Sequence, residues 1–372
     1  MGCLVSTPKD TGGNRRRPAN IGDVSVFVPG GSTLGDLLQA LEDYLPVLLG
    51  LVKDGSPLQH KVQFVWINQE DEAEETAMYS AWYEVLSVLH LMATLSLSQA
   101  NLLLLPRTSI DGYQPKVSEE TKLELVIGIL PLAGKNRRSS VDVFLKAAGY
   151  LDCAVRHVLP QLPNELRRNL PVDLAEGVLR ALCLQALGQG VDIQLGLAID
   201  STKATLAVKR RLACEMVKYW QQAQDNIMNL PLANGWGEKH RLFVKWKYIE
   251  SKAAAYYYHG LILDEGNTEK SHGMAVAALQ AADEYLKESK KACEAFHASV
   301  PVSRNPPLWG TMKYLSEKIP KDTSSKNYGD GTNTARFALA LKPDEYQLPL
   351  VDASWNEEAT KKGQLSSNKS RG

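Results

Sequence analysis

An excess of charge of either sign is missing from this sequence: 42 Lys and Arg residues face 42 Asp and Glu residues, and the formal net charge is zero. No global basic surplus exists to hold a nucleic-acid backbone, so no nucleic-acid partner is expected. Cysteine is scarce. Cys3, Cys153, Cys183, Cys214 and Cys293 are scattered, with no C-x-x-C pair. They provide neither a disulfide framework nor a zinc site, and an odd, patternless set fits a reducing compartment. No apolar run reaches the ~18–20 residues of a spanning helix. The strongest candidate, Val85 to Leu105, is interrupted by His90, Ser96, Ser98, Gln99 and Asn101, and reads as a buried helix. No signal peptide is recognised, because the N-terminus turns polar by Ser6 and basic by Arg15.

Catalytic signatures are missing too. His60, His90, His157, His240, His259, His272 and His297 form no H-E-x-x-H or other metal spacing. His259 and His272 flank a helix turn and could meet, but structural roles are expected. There is no G-x-S-x-G, no G-x-x-x-x-G-K-[ST], and no G-x-G-x-x-G after a strand. Gly188-Gln189-Gly190 follows a helix and lacks the third glycine, and Gly329-Asp330-Gly331 carries a carboxylate that would repel phosphate. The cluster Glu70 to Glu75 reads as solvated charge opening a helix. No nucleophile–base set stands out. The chain reads as non-enzymatic, with no cofactor, metal or small-molecule substrate.

What is present is enough apolar material to fold: 44% of 372 residues are hydrophobic and 23% charged. At the N-terminus, Met1-Gly2-Cys3-Leu4-Val5-Ser6 matches the myristoylation pattern M-G-x-x-x-[ST], with Gly2 as the acceptor. One myristoyl chain binds membranes only marginally, so a second signal is needed. Cys3 beside Gly2 is placed for palmitoylation. Lys9, Arg15, Arg16 and Arg17 form a basic patch, and each such residue adds roughly 1 kcal/mol on an anionic leaflet. These features point to a lipid-anchored protein on the cytosolic face of a membrane, endosomal or plasma.

Residues 1–20 read as a disordered, acylated basic tail. Val24 to Val28 alternates like a short strand, and Ser32 or Thr33 can cap a helix through Leu34, Leu38, Leu41 and Leu45. Gln63 to Ile67 reads as a second short strand. Thereafter the periodicity is helical. Helices are expected from the acidic cluster through Trp82, Leu86 and Ala93, then over Val141–Leu159, Asp173–Leu187, Thr202–Leu230, Lys239–Leu263 and Lys270–Phe296. Pro106 to Glu120 reads as a loop. In Tyr256-Tyr257-Tyr258, consecutive helical positions diverge, so at least one is expected in the core. The last two helices form an antiparallel pair with small residues opposite aromatics, like a tetratricopeptide unit, though no 34-residue repeat recurs. Periodicity fades beyond Pro306. The fold class expected is mainly α: an elongated helical solenoid with tetratricopeptide-like pairs and a short N-terminal β element.

The segments "VSVFVPGGSTLGDLLQALEDYL", "VQFVW", "AWYEVLSVLHLMATLSLSQANL", "VDVFLKAAGYLDCAVRHVLPQLP" and "KYIESKAAAYYYHGLILDEGNTEKSHGMAVAALQAADEYLKESKKACEAF" occur in an order that resembles the Bro-one domain. This is the banana-shaped helical domain of Alix and related ESCRT-accessory proteins. With its Met-Gly-Cys head the chain looks most like the short plant Bro-one-like proteins described as endosome-targeted. The resemblance implies a domain over residues 21–349 and a disordered basic tail over residues 350–372. It also implies a scaffold in endosomal or multivesicular-body trafficking, one that binds the amphipathic C-terminal helix of an ESCRT-III filament subunit in an apolar groove. The V-shaped and proline-rich regions of the large members have no counterpart here, so a full Alix-like hub is not expected. Aligned on the family's groove, the partner-binding residues would be Val208 and Leu212, with Leu195 as a third and Tyr219 on the same flank.

The residues themselves allow such a groove. Val208, Leu212 and Tyr219 lie roughly 120° around the helix from the stripe Leu206, Ala213, Val217, Trp220 and Ile227. That second stripe either receives a partner or packs on a neighbouring helix of the solenoid. A generic tetratricopeptide-like adaptor at the plasma membrane, with an unrelated peptide partner, is the other functional expectation. Replacing Gly2 with Ala is expected to move the protein from the membrane pellet to the supernatant on fractionation. A substituted chain that pellets like the native one must be anchored elsewhere.

Overall fold

The computed structural model describes residues 33–53, 56–67, 75–104, 119–228, 230, 235–266, 268–300 and 311–327. The lipidation residues Gly2 and Cys3, the basic patch Lys9, Arg15, Arg16 and Arg17, and the expected strand Val24 to Val28 lie outside the described residues. So do Glu70 to Glu74, most of the Pro106–Glu120 segment and the C-terminal tail.

Helix α1 (Leu34–Leu51) opens on a reciprocal cap. The Thr33 hydroxyl accepts from the Asp36 N–H at 3.2 Å, and the Asp36 carboxylate accepts from the Thr33 N–H at 2.8 Å. Two orphan donors of the first turn are thereby satisfied. Strand β1 (Phe64–Ile67) lies where Gln63 to Ile67 predicts one, and pairs antiparallel with β2 (Glu75–Met78). The expectation that Glu75 belongs to a helix start is thus corrected. A ladder partner satisfies the backbone there, and the helix opens only after Ser80. The acid of its first turn is Glu84.

Helix α2 (Ala81–Leu103) is buried along nearly its whole length. The hydroxyls that interrupt its apolar run are satisfied within the helix. Ser87, Thr94, Ser96 and Ser98 each donate to the carbonyl four residues back, at 2.8–3.0 Å. The bonds spare these hydroxyls the cost of dry burial. Two helices, α2 and α5 (Glu176–Asp200), are long and apolar enough to cross a membrane, but more than half of each apolar stretch is covered by protein.

Helix α3 (Glu119–Cys153) starts well before the expected Val141. It buries Phe144, Ala148 and Leu151, on the face the sequence predicts. Its end is a π-helical turn, Ala154–Val158, in which the Leu159 N–H reaches back to the Ala154 carbonyl. Pro160 follows, and having no N–H it cannot continue the ladder. After the short α4 (Asn164–Arg168), α5 runs thirteen residues beyond the expected Leu187, straight through Gly188 and Gly190. A Cβ on Gly188 would stand 2.8 Å from Trp220 Nε1, so the glycine admits the indole of α6 (Leu206–Ile227). Its residue type answers a helix contact, not a helix end.

Helices α7 (Gly235–Asp264) and α8 (Glu269–Ala298) form the expected antiparallel pair. Ala253, Ala254, Ala278 and Ala282 are buried between larger groups, and Tyr256 stacks on Tyr285 with ring centroids 5.3 Å apart. All three residues of the tyrosine triplet are buried. The region beyond Pro306 holds a helix that fading periodicity concealed. Helix α9 (Thr311–Asn327) buries Leu315 and Ile319, and its Asp322 accepts from the Tyr257 hydroxyl at 2.7 Å. The described residues thus form nine α-helices and a two-stranded sheet, each long helix packing on the one before, with α9 folding back on α8, α7 and α5.

Buried Glu84 ties the N-terminal elements together. It accepts from Trp66 Nε1 of β1 at 2.7 Å and from the Tyr44 hydroxyl of α1 at 3.4 Å. Burial pushes its carboxyl up to about 7, and the two hydrogen bonds only partly oppose this. A raised folded-state value means the folded chain holds its proton more readily than the unfolded one. The contribution is therefore full below the ordinary carboxyl range near 4.5 and is lost as pH rises through about 7. Glu84→Gln is expected to flatten this dependence and to raise stability at pH 8 relative to the native chain, by up to about 3 kcal/mol. Urea melts of both proteins between pH 5 and pH 8 measure it, and parallel curves would refute it.

Candidate partner-binding site

Helix α6 sits between α5 and α7 and packs on both. Thr205 caps it, its hydroxyl accepting from the Val208 N–H at 3.4 Å. Ala213, Met216, Trp220, Ala223 and Ile227 are buried. Met216 thus takes the inner position expected of Val217, which is half-buried. Trp220 fixes the helix rotation. It fits against Gly188 on one side and meets Phe243 of α7 edge-on at 5.7 Å on the other.

With that face inward, Val208, Leu212 and Tyr219 fall within roughly 40° of one another and roughly 80–100° from the buried stripe. Val208 is 46% exposed. Leu212 and Tyr219 are half-buried, and Leu212 also touches the core. Tyr219 carries Lys218 over its ring at 5.5 Å, and Lys218 also pairs with Glu215 at 3.3 Å. Leu195 does not belong to this face. It is 0% exposed on α5, inside the core cluster, so it cannot present a surface to a partner, and its expected place in a groove is corrected. Helix α5 continues to Asp200, and Leu195 lies on its inward face.

A charge asymmetry surrounds the strip. Between Lys203 and Cys214 the chain carries Lys203, Lys209, Arg210 and Arg211 and no carboxylate. The nearest acids are engaged: Asp200 pairs with Arg137 of α3, and Glu215 with Lys218. Arg210 lies 3.2 Å from His259 Nδ1. Burial, then the nearby guanidinium, pulls that imidazole down to about 4, so it is neutral near pH 7 and accepts from the arginine. His272 instead lies 3.2 Å from Asp264, so the two histidines serve different partners.

Beneath α6, α5 and α7 are joined by polar ties. His240 Nε2 and Gln185 Oε1 are 3.0 Å apart, and burial holds the imidazole at about 4. Lys247 Nζ contacts Asp192 at 3.3 Å and also contacts Glu250. Burial pulls the Lys247 ammonium down, but the two facing carboxylates outweigh it and hold it up. Burial likewise raises the Glu250 carboxyl, against the pull of Lys247. Among the described residues no group of three or more metal-ligating side chains occurs. Burial raises the Cys183 and Cys293 thiols to about 11, the inert end of cysteine behaviour.

A family model for the BRO1-like domain matches residues 131–325, over half of the chain and including all of α5 through α8. The chain belongs to the BRO1-like domain family. No curated protein matches it. Among solved structures, this BRO1-like chain is similar to the ALIX BRO1 domain in a complex with CHMP4C. The TM-score is 0.52 at 18% identity, covering 85% of this chain and 76% of that one. It is similar to ALIX bound to the SIVmac239 PYKEVTEDL late domain, again with TM-score 0.52 and 18% identity, but there it spans only 41% of the longer chain. It is also similar to a Bro1 domain described as a structural basis for endosomal targeting, with TM-score 0.50 and 17% identity, covering 83% of this chain and 84% of that one. At such identities the likeness is one of fold. The BRO1-like fold accounts for the helical solenoid and the short sheet.

The α5–α7 tie makes a stability test. Lys247→Met leaves two buried carboxylates facing each other and is expected to cost about 3–5 kcal/mol in urea unfolding. Adding Asp192→Asn and Glu250→Gln should restore most of it. No recovery in the triple variant would mean that the lysine stem, not its charge, holds the helices.

Proposed function

We propose that this BRO1-like domain is a membrane-tethered protein-binding scaffold in endosomal, ESCRT-linked sorting, and that its α6 flank receives an amphipathic helix of an ESCRT-III subunit. The observation that carries the reading is Val208. It is a β-branched apolar side chain left 46% exposed beside Leu212 and Tyr219, on a helix whose inner face is buried through Ala213, Met216, Trp220, Ala223 and Ile227. A partner helix laying apolar residues three and four apart against this strip would use the helix-in-groove mode. Two of the similar structures support the choice of partner and compartment, one a BRO1 complex with CHMP4C and one described in terms of endosomal targeting.

Tethering rests on the N-terminal sequence. Myristoyl on Gly2, palmitoyl on Cys3 and the charges of Lys9, Arg15, Arg16 and Arg17 would together confine the domain to an anionic membrane surface. Confinement raises the effective concentration of a weak binding face for partners on the same membrane. Function in this reading is co-localisation. The perturbed groups Glu84, Lys247 and Glu250 are engaged in holding helices together.

Val208→Asp is the discriminating variant, because Val208 is the exposed member, whereas Leu212 also contacts the core and its loss would mix binding with stability. The substitution is expected to weaken a synthetic CHMP4C C-terminal helix on the order of tenfold or more, with the thermal midpoint unchanged. Leu212→Asp should weaken it as well while lowering the midpoint. Equal affinity in native and Val208→Asp proteins, measured by calorimetry, would reject the face. Recovery of an unrelated peptide partner would favour the generic adaptor.

A further inference from the structure

The α6 flank has a matching segment in this same chain. Between Pro343 and Glu358, beyond the last described residue, stand five carboxylates (Asp344, Glu345, Asp352, Glu357 and Glu358) and no Lys or Arg. Within it Val351, Trp355 and Ala359 recur at four-residue steps after Pro349, a residue favoured at the first position of a helix. A helix from Pro349 would gather Val351, Trp355 and Ala359 within roughly 80°, bordered by Asp352 on one side and Glu358 on the other.

The surface of α6 has the opposite pattern. Its apolar strip is bordered by Lys209 on one side and Arg211 on the other, and α6 has no acid in its first turn. The positive end of the α6 dipole adds to this charge. Reach is ample. Trp355 lies 28 residues beyond Asn327, the end of α9, so the connection can span about 90 Å when extended. Helix α9 itself packs on α5 and α7, the two helices that hold α6.

We infer that the segment Pro343–Ala359 docks in cis on the Val208–Leu212–Tyr219 strip of α6, with Trp355 as its anchor, and competes with the partner helix for that surface. The competition half of the inference rests on the partner reading above; the docking half does not. An intramolecular occupant acts at an effective concentration on the order of millimolar. An intrinsic affinity near 0.1 mM would then weaken an outside ligand by about tenfold. A high local density of partner would displace the segment by mass action.

The test uses the full chain with a photo-reactive benzoylphenylalanine in place of Trp355, irradiated at low protein concentration and mapped by mass spectrometry. Adducts within one molecule to residues 206–219 are expected. They should fall when Val208→Asp is added and when salt is raised from 50 to 500 mM, because the flanking charges are then screened. Adducts elsewhere, adducts only between molecules, or none would overturn the inference whatever the partner does. In parallel, the synthetic CHMP4C C-terminal helix is titrated into the native chain and into Val351→Ser/Trp355→Ser. About tenfold tighter binding to the double variant is expected. Equal, measurable affinity alongside an α6 adduct would overturn the competition. Binding to neither chain alongside an α6 adduct would remove the partner reading and leave the docking intact.

Discussion

Trp220 lying against Gly188 is the contact on which the rest of the middle of this protein depends. The indole occupies the space a Cβ would need, and Phe243 closes its other side. A large, rigid side chain held on two sides leaves α6 one rotational setting. That setting turns Ala213, Met216 and Ala223 inward and Val208 outward. The candidate binding strip is thus a by-product of how α6 is seated. Glycine supplies the close approach on α5, as it does on α7, where a Cβ on Gly260 would stand 2.9 Å from Leu279. Interiors packed to crystal density tolerate no such insertion without displacement.

Burial on several sides sets the second constraint. Helices α2 and α5 are covered by neighbours, so their polar groups must find partners inside the protein. The hydroxyls of α2 do this locally, bonded to carbonyls of the preceding turn, while its Glu84 reaches out to Trp66 and Tyr44. Helix α5 does it across space, with Gln185 reaching His240 and Asp192 reaching Lys247. The local solution needs no neighbouring helix. The second fixes the spacing of two helices around a third.

The charge pattern around the strip is the physical basis of the proposed cis docking. A neutral chain can still carry a locally one-signed surface, and here the first half of α6 is basic while the segment after Pro343 is acidic. Electrostatic complementarity of this kind governs which partner arrives and how fast more than how tightly it stays. An acidic, tryptophan-bearing segment in the same chain and an amphipathic helix from a membrane-bound subunit are chemically similar visitors, and a face that suits one also suits the other.

Much of the fold was legible because helical periodicity is a local property. Phe144, Ala148 and Leu151, the α7–α8 pair and the buried character of α2 follow from spacing alone, and the order of the segments was enough to indicate the family. The lipidation pattern at Gly2 and Cys3 is likewise read from adjacent residues, and it rests on the sequence alone. Other features depend on what lies opposite in space. Gly188 inside α5 looks like a helix end until Trp220 is seen against it. Glu75 looks like a helix start until β1 pairs with it. Leu195 and Val208 have similar apolar character, yet one is enclosed and the other exposed, because cover comes from neighbouring helices that no single segment encodes. The sequence by itself determined which residues are apolar and where most helices lie, though not α9 or the second half of α5. The tertiary structure alone decided which apolar residues remain at the surface, since exposure is set by the helices packed around each position.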